Sequence, residues 1–142
     1  MSLAMSTVER EIFLADCHVG VVSMNREGHG PLSAPIWYIY EDGHVWFTTG
    51  AESQKGKLMF PGDRISLVAQ TEKAPYKYVS VEGAVISRDP SEIERDVRPM
   101  AIRYLGTQTG NNYADNSSAE NGVLIRMKPE KWLTVDYGKA GD

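Results

Sequence analysis

Hydrophobic positions in this chain fall mostly in short runs separated by turn residues, with few stretches at a helical period. Residues 19–24 are apolar and rich in β-branched side chains, which predicts a strand. Further strands are expected at 32–40 and 44–49, joined by Glu41-Asp42-Gly43, a hairpin signal. Others follow at 64–70, 76–87, 123–127 and 132–135. Residues 25–30 read as a turn, residues 71–75 as a loop, and Lys128-Pro129-Glu130 links the last two strands.

Helical signals are fewer. Ser6 and Glu9 have the capping-box spacing, so a short helix should follow with Val8, Ile12 and Phe13 turned inward. A second short helix is expected at 53–60, ended by Pro61-Gly62-Asp63. A third starts at Asp89-Pro90-Ser91-Glu92, where Asp89 caps, Pro90 fits the first turn and Glu92 completes the box. Ile93, Val97, Ala101 and Tyr104 then recur at helical spacing. Pro99 should kink or restart that helix, and Gly106 should stop it. Residues 107–121 are polar and rich in Asn, Gly and Ser, and are expected to form a mobile loop. Six or more short strands with tight turns and few helices predict a mainly β (α+β) domain built on a closed barrel, rather than a layered parallel sheet.

The chain has 142 residues, the length of one domain with a real core. Its 42% hydrophobic and 24% charged content are ordinary for a soluble globular protein, and no apolar run approaches the roughly 20 residues of a membrane span. The N-terminus does not read as a signal peptide. Met1 to Leu3 are expected to be a cloning remnant ahead of a natural start at Met5, with residues 1–5 disordered or foreign to the chain. The net charge of -4 argues against non-specific binding to nucleic acid or anionic membranes. Cys17 stands alone, so no internal disulfide is possible; the expectation is a reduced, cytoplasmic protein with Cys17 as a small buried hydrophobe. His18, His29 and His44 lie far apart and form no metal-ligand pattern.

One stretch carries candidate chemistry. Val45 to Thr49 is an apolar strand that runs into the small-residue turn Gly50-Ala51-Glu52-Ser53, and the turn leads to a helix start bearing Lys55 and Lys57. Unpaired N–H groups at a helix start favour an anion such as a phosphate, and the lysines add positive charge. Ser53 can cap or donate its hydroxyl. The alternative is a plain strand-to-helix connection with solvated lysines.

Two segments flank this one: Leu32 to Tyr40, containing Ala34-Pro35-Ile36-Trp37, and Tyr76 to Val85, containing Val81-Glu82-Gly83. In this order and spacing the three segments, with the Glu-Ser-x-Lys-Gly-Lys run between them, resemble the flavin-binding split-barrel family typified by pyridoxamine 5′-phosphate oxidase. The resemblance covers roughly residues 8–136. It implies a six-stranded or larger antiparallel split β-barrel with short flanking helices. It also implies a homodimer with FMN sites at the interface and hydride transfer to a small molecule. By the same resemblance Lys55 is the phosphate-binding lysine, with Ser53 and Lys57 in its motif. Phe47 and Thr48 border the flavin, and the backbone of Pro35, Ile36 and Trp37 lines the ring's edge. Tyr78 stands where the oxidase has a flavin-contacting glutamine, and Trp132 could face the flavin from a partner subunit.

There are departures. The oxidase's arginine and lysine on the first of these strands become Leu32 and Trp37, and tryptophan cannot replace a charge that grips a phosphorylated substrate. The oxidase's arginine-containing C-terminal segment has no counterpart after Tyr137-Gly138. True pyridoxamine phosphate oxidation is therefore not expected. The Pro-Ile-Trp-Tyr and Ser-x-Lys runs look more like the shorter flavin- or deazaflavin-dependent reductases. A deazaflavin coenzyme (F-420) would need a basic groove, for which Lys55, Lys57, Arg64, Lys73 and Lys77 are candidates. A non-catalytic flavin or small-molecule binding module is the third reading. Trp37, Tyr38 and Trp46 are aromatics on strands, which are more often core or interface residues than ligand-stacking groups. Arg95, Arg98 and Arg103 form either a patch for a substrate anion or a solvated helix face.

Overall fold

In the computed structural model, which describes residues 2–141, the two ends of the sheet belong to one stretch of chain. The strands are β1 (Val19–Met24), β2 (Leu32–Trp37), β3 (Ile39–Glu41), β4 (His44–Gly50), β5 (Arg64–Gln70), β6 (Lys77–Pro90), β7 (Gly122–Met127) and β8 (Lys131–Asp136). All pairings are antiparallel, in the order β2-β1-β5-β6-β7-β4-β3, with β8 added on β6. Strands β2 and β3 close this path at opposite ends, yet only Tyr38 separates them in sequence. The sheet must therefore curl until its edges meet.

The expected single strand at 32–40 is thus two strands, broken at Tyr38. Its side chain is fully buried and its hydroxyl donates to the Leu14 carbonyl at 2.7 Å. Burying that ring costs the strand its continuity.

Strand β6 makes the barrel split. One of its edges pairs with β5 from Tyr78 to Ala84. The other pairs with β8 over Lys77 to Glu82 and then with β7 from Val85 to Pro90, with an irregularity between Val85 and Ser87. Residues alternate in burial along β5 and β6: Ile65, Leu67, Ala69, Val79, Val81 and Val85 point into the core. Phe47, Ile125 and Met127 fill its other side. The fold is an antiparallel split β-barrel of the α+β class, as expected.

Three helices flank it: α1 (Thr7–Ala15), α2 (Arg98–Leu105) and α3 (Thr107–Asp115). The capping box of α1 is present, but its facing is not the expected one. Leu14 is buried, while Val8 and Ile12, four apart on one face, are each 66% exposed. Phe13 is half-buried and stacks on His18 with centroids 4.4 Å apart. The disorder expected for residues 1–5 does not extend to Leu3 and Met5. The Leu3 carbonyl accepts from Asp136 N–H at 2.8 Å, and Met5 N–H donates to Thr134 Oγ1 at 2.9 Å. Met1 lies outside the described residues.

Asp89 and Pro90 do not open a helix; they end β6, paired with Leu124 and Val123. The helical path begins with one π turn, Ile93–Val97, and the N–H of the preceding residue, Glu92, donates to the Asp96 carboxylate at 2.9 Å. Pro99 sits in the first turn of α2, and Gly106 ends it at φ +85°. More than half of the expected loop at 107–121, Thr107–Asp115, is helix α3. Gly110 explains why: a Cβ there would lie 2.5 Å from Ile102 Cα, so α3 packs backbone to backbone on α2. Arg98 then ties the pair, reaching Glu94 (2.8 Å), Asp115 (2.7 Å) and Asn111 Oδ1 (2.9 Å). The expected helix at 53–60 shrinks to a single 3-10 turn, Gly56–Leu58. Cys17 is exposed rather than buried. No helix among the described residues is long and apolar enough to cross a membrane.

Candidate functional site

Two contiguous cavities, of about 300 and 280 Å³, lie between the barrel and α2–α3. The first is apolar. Strand β2 supplies Pro35, Ile36 and Trp37, β4 supplies Thr48, α2 supplies Met100 and α3 supplies Tyr113. Proline is tolerated in β2 because that strand lies at the end of the hydrogen-bonded path. The second cavity shares Trp37, Thr48, Met100 and Tyr113 and continues past Thr49 and Gly50 to Ser91, Ser117, Ser118 and Glu120.

Trp37 lines both cavities of this cleft. Tyr104 of α2 stacks flat on it, with centroids 5.0 Å apart and planes 9° apart, and Tyr113 tilts against it at 5.6 Å. The Tyr104 hydroxyl accepts from Tyr38 N–H at 3.0 Å and donates to the His18 carbonyl. It repairs the hydrogen bonding lost where β2 breaks into β3. Burial pushes the phenols of Tyr38 and Tyr104 up from the usual tyrosine value, so both stay protonated donors at neutral pH.

The turn after β4 adjoins the second cavity. Ser53 Oγ donates to the Gly50 carbonyl at 2.7 Å, accepts from Gly56 N–H at 3.0 Å and lies 3.3 Å from Thr49 Oγ1. Only glycine fits at 56, because a Cβ would stand 2.0 Å from the Gly50 oxygen. Arg88 of β6 braces the far side: its guanidinium donates to the carbonyls of Gly56 and Met59 and lies 4.1 Å over the Phe60 ring. Among the described residues the amides of Gln54 and Lys55 meet no backbone or side-chain acceptor. Neither Lys55 nor Lys57 joins an ion pair there. Two open amides beside two uncommitted ammonium groups suit a phosphate, so the residues present fit a flavin mononucleotide's anionic end.

The cleft brings together Pro35, Ile36, Trp37 and Thr48, and Ser53 joins it through Thr49 and Gly50. Lys55 and Lys57 follow on the same turn. The Phe47 side chain is wholly in the core, which leaves only its main chain to a ligand. Tyr78, opposite Gln70 and Val135 on β6, does not line either cavity. Neither does Trp132, which meets Tyr40 edge-on at 5.9 Å with Arg10 over its ring at 4.4 Å. Trp46 is core, its indole N–H donating to Glu41 at 2.8 Å, and Tyr38 is core as well. Of the groove lysines and arginines, Arg64 is committed to Glu130 at 2.6 Å. Met100, Ser91, Arg88 and Tyr113 went unsingled by sequence reasoning. Tyr104 was visible only as a helix-period residue, and Tyr113 lay inside the expected loop. A single arginine ending a strand carries no sequence signal for Arg88.

Fold and cleft together define a split-barrel domain with an aromatic-walled cleft beside a turn that carries open amides and two lysines. The chain belongs to the pyridoxamine 5′-phosphate oxidase family, whose model matches residues 7–136. No curated protein matches it. Solved structures share the fold. One is the conserved hypothetical protein Rv2991 of Mycobacterium tuberculosis, at TM-score 0.79 and 23% identity, covering 99% of this chain and 90% of that one. Another is an F420 reductase, at TM-score 0.62 and 20% identity, covering 87% and 94%. A third is a FAD-binding protein (mll6688) of Mesorhizobium loti, at TM-score 0.66 and 22% identity, covering 92% and 94%.

Proposed function

We propose that this protein is a flavin-dependent oxidoreductase that holds FMN, its phosphate on the Ser53–Lys57 turn and its ring along Pro35, Ile36, Trp37 and Thr48. The observation that carries this reading is a turn with open amides and uncommitted lysines that follows directly on β4, whose Thr48 lines the apolar cavity and whose Thr49 and Gly50 line the second one. When bound, such a group supplies hydride exchange with a small conjugated acceptor. The chain's own part is to bind and orient. Lys55 and the Gln54 and Lys55 amides take the anion, Ser53 holds the turn's shape, and Trp37 with Tyr113 bounds the space where an acceptor stacks. A deazaflavin coenzyme is the second reading, favoured by the likeness to an F420 reductase. Oxidation of a phosphorylated pyridoxamine is not part of the proposal, since Trp37 offers no charge.

The functional unit in this reading is a homodimer with a site at each end of the interface. The register supports it. Pro35, Val21, Val68, Ser80 and Leu133 are successive cross-strand partners on the barrel's outer face, alternating with buried residues. Val19 and Leu133 on that face are 55% and 61% exposed. This five-strand row, apolar except at Ser80, suits a self-complementary contact, and the same face carries Tyr78. Sedimentation at micromolar concentration giving only a monomer of about 16 kDa would overturn the dimer.

The experiment for the cofactor is the visible spectrum of the purified protein, taken alone and after adding FMN or the deazaflavin. A two-banded flavin spectrum retained through gel filtration and lost in Lys55→Ala supports the first reading. Retention of the deazaflavin alone, with its single violet band, supports the second. Retention of neither at concentrations well above micromolar removes the oxidoreductase assignment.

A further inference from the structure

The three arginines of the α2 region have partners that turn them away from the cleft. Arg95 is paired with Asp96 and donates to the Pro90 carbonyl at 3.0 Å. Arg98 is clamped by Glu94, Asp115 and Asn111. Arg103 donates to the Ala15 carbonyl at 2.7 Å. None of them lines either cavity, and neither does any lysine or histidine among the described residues. Apart from the Tyr113 phenol, the one ionisable side chain that the described residues place on the cleft wall is Glu120, in the second cavity. The remaining polar lining is hydroxyl: Thr48, Thr49, Ser91, Ser117 and Ser118.

We infer that the cleft selects its small-molecule substrate by charge: it takes planar, uncharged or cationic conjugated compounds, rejects carboxylates and phosphates, and Glu120 sets the rule. The inference rests on the proposed oxidoreductase reading for its biological sense. Its physical basis is separate. Trp37, backed by Tyr104, and Tyr113 offer a stacking wall to a flat ring, and the second cavity, of about 280 Å³, which both Trp37 and Tyr113 line together with Glu120, has room for two fused rings beside the space proposed for the cofactor ring. An anionic substituent on that ring finds no counter-charge inside the cleft and one carboxylate on its wall. A hydroxyl or ammonium finds acceptors. The cationic groups of the site are all on the turn beyond Gly50, where the cofactor's phosphate is proposed to sit. Cofactor and substrate are thus sorted by charge along one cleft. Glu120 is exposed, so the discrimination is modest, about five- to ten-fold for a carboxylate held within a few ångströms of it.

The test uses three redox-inert probes of one shape: 2-naphthylmethanol, 2-naphthylmethylamine and 2-naphthoate. Their dissociation constants are measured by calorimetry at pH 7 on the full chain, with and without FMN. The alcohol and the amine are expected to bind at least about five-fold tighter than the carboxylate. Glu120→Gln should narrow that ratio and Glu120→Lys should invert it. Tyr113→Ala should weaken all three, which places the probes in this cleft. Equal affinity for naphthoate and the alcohol, a ratio unmoved by Glu120→Lys, or no effect of Tyr113→Ala overturns the inference. The FMN spectrum of the same samples keeps the two readings apart. Retained flavin with an unselective cleft sinks only this inference, and a selective cleft without flavin sinks only the oxidoreductase reading.

Discussion

Removing one oxygen atom, in Tyr104→Phe, tests how the barrel closes. The Tyr104 hydroxyl takes the Tyr38 N–H at 3.0 Å and donates to the His18 carbonyl, while its ring stacks on Trp37. Phenylalanine keeps the stack and orphans both main-chain groups. Tyr38 is fully buried, so its N–H has little access to water. An unpaired buried donor costs about 1–3 kcal/mol, and the half-buried His18 carbonyl, which water can partly reach, adds a few tenths. The expected loss is therefore about 1–3 kcal/mol. With a urea slope near 2 kcal/mol/M for a chain of this size, the midpoint should fall by roughly 0.5–1.5 M. The assay is urea unfolding followed by circular dichroism at one fixed protein concentration, because a dimer's midpoint depends on concentration. Tyr104→Leu, which also loses the stack, should fall further. A Tyr104→Phe midpoint within about 0.2 M of the parent, with an unchanged slope, would refute the claim that this hydroxyl replaces the missing ladder bonds.

Gly110→Ala forces a Cβ against the Ile102 backbone and should lower the melting temperature by several degrees, at a cost of about 1–3 kcal/mol; differential scanning fluorimetry measures it, and an unshifted melt contradicts the close packing of α3 on α2. Arg88→Met leaves the Gly56 and Met59 carbonyls without their guanidinium, and is expected to weaken FMN retention about ten-fold while amide exchange speeds up over residues 53–59; unchanged exchange there would show that Arg88 does not brace the turn. The Glu9 carboxyl is held down to about 2, first by the Lys139 ammonium and then by the Ser6 N–H. A depressed folded value means its contribution is present above the unfolded value near 4.5 and is lost as pH falls toward 2. Melting temperature against pH should thus drop less between pH 5 and 2 in Glu9→Gln than in the parent, and superimposable curves would remove Glu9 from the acid response.

Much of this protein was determined by its sequence alone, wherever the physics is local. Strands β1 and β5 carry the two-residue period of a half-buried sheet, and β4 and β7, buried at consecutive positions, were legible as short apolar, β-branched runs bounded by turn residues. The α1 capping box was legible because it is completed within four residues. The Ser53–Lys57 turn and the Pro35–Trp37 strand could be singled out for the same reason. What needed distant partners was decided only by the tertiary structure. Helix α3 is polar and rich in poor helix formers; it forms because Gly110 lets it lie against α2 and Arg98 clamps it there. Asp89 had the better cap signature, yet pairing of Asp89 and Pro90 with β7 extended β6 over it, and the helical path starts only after Glu92, whose N–H donates to the Asp96 carboxylate. The break at Tyr38 exists because Leu14 and Tyr104, 24 and 66 residues away in sequence, offer better hydrogen bonds than a continuous strand would. The cleft follows the same rule. Its floor on β2 and β4 could be read from the chain, whereas its wall, Met100 and Tyr113, is set by how two helices pack, and no local pattern encodes that packing.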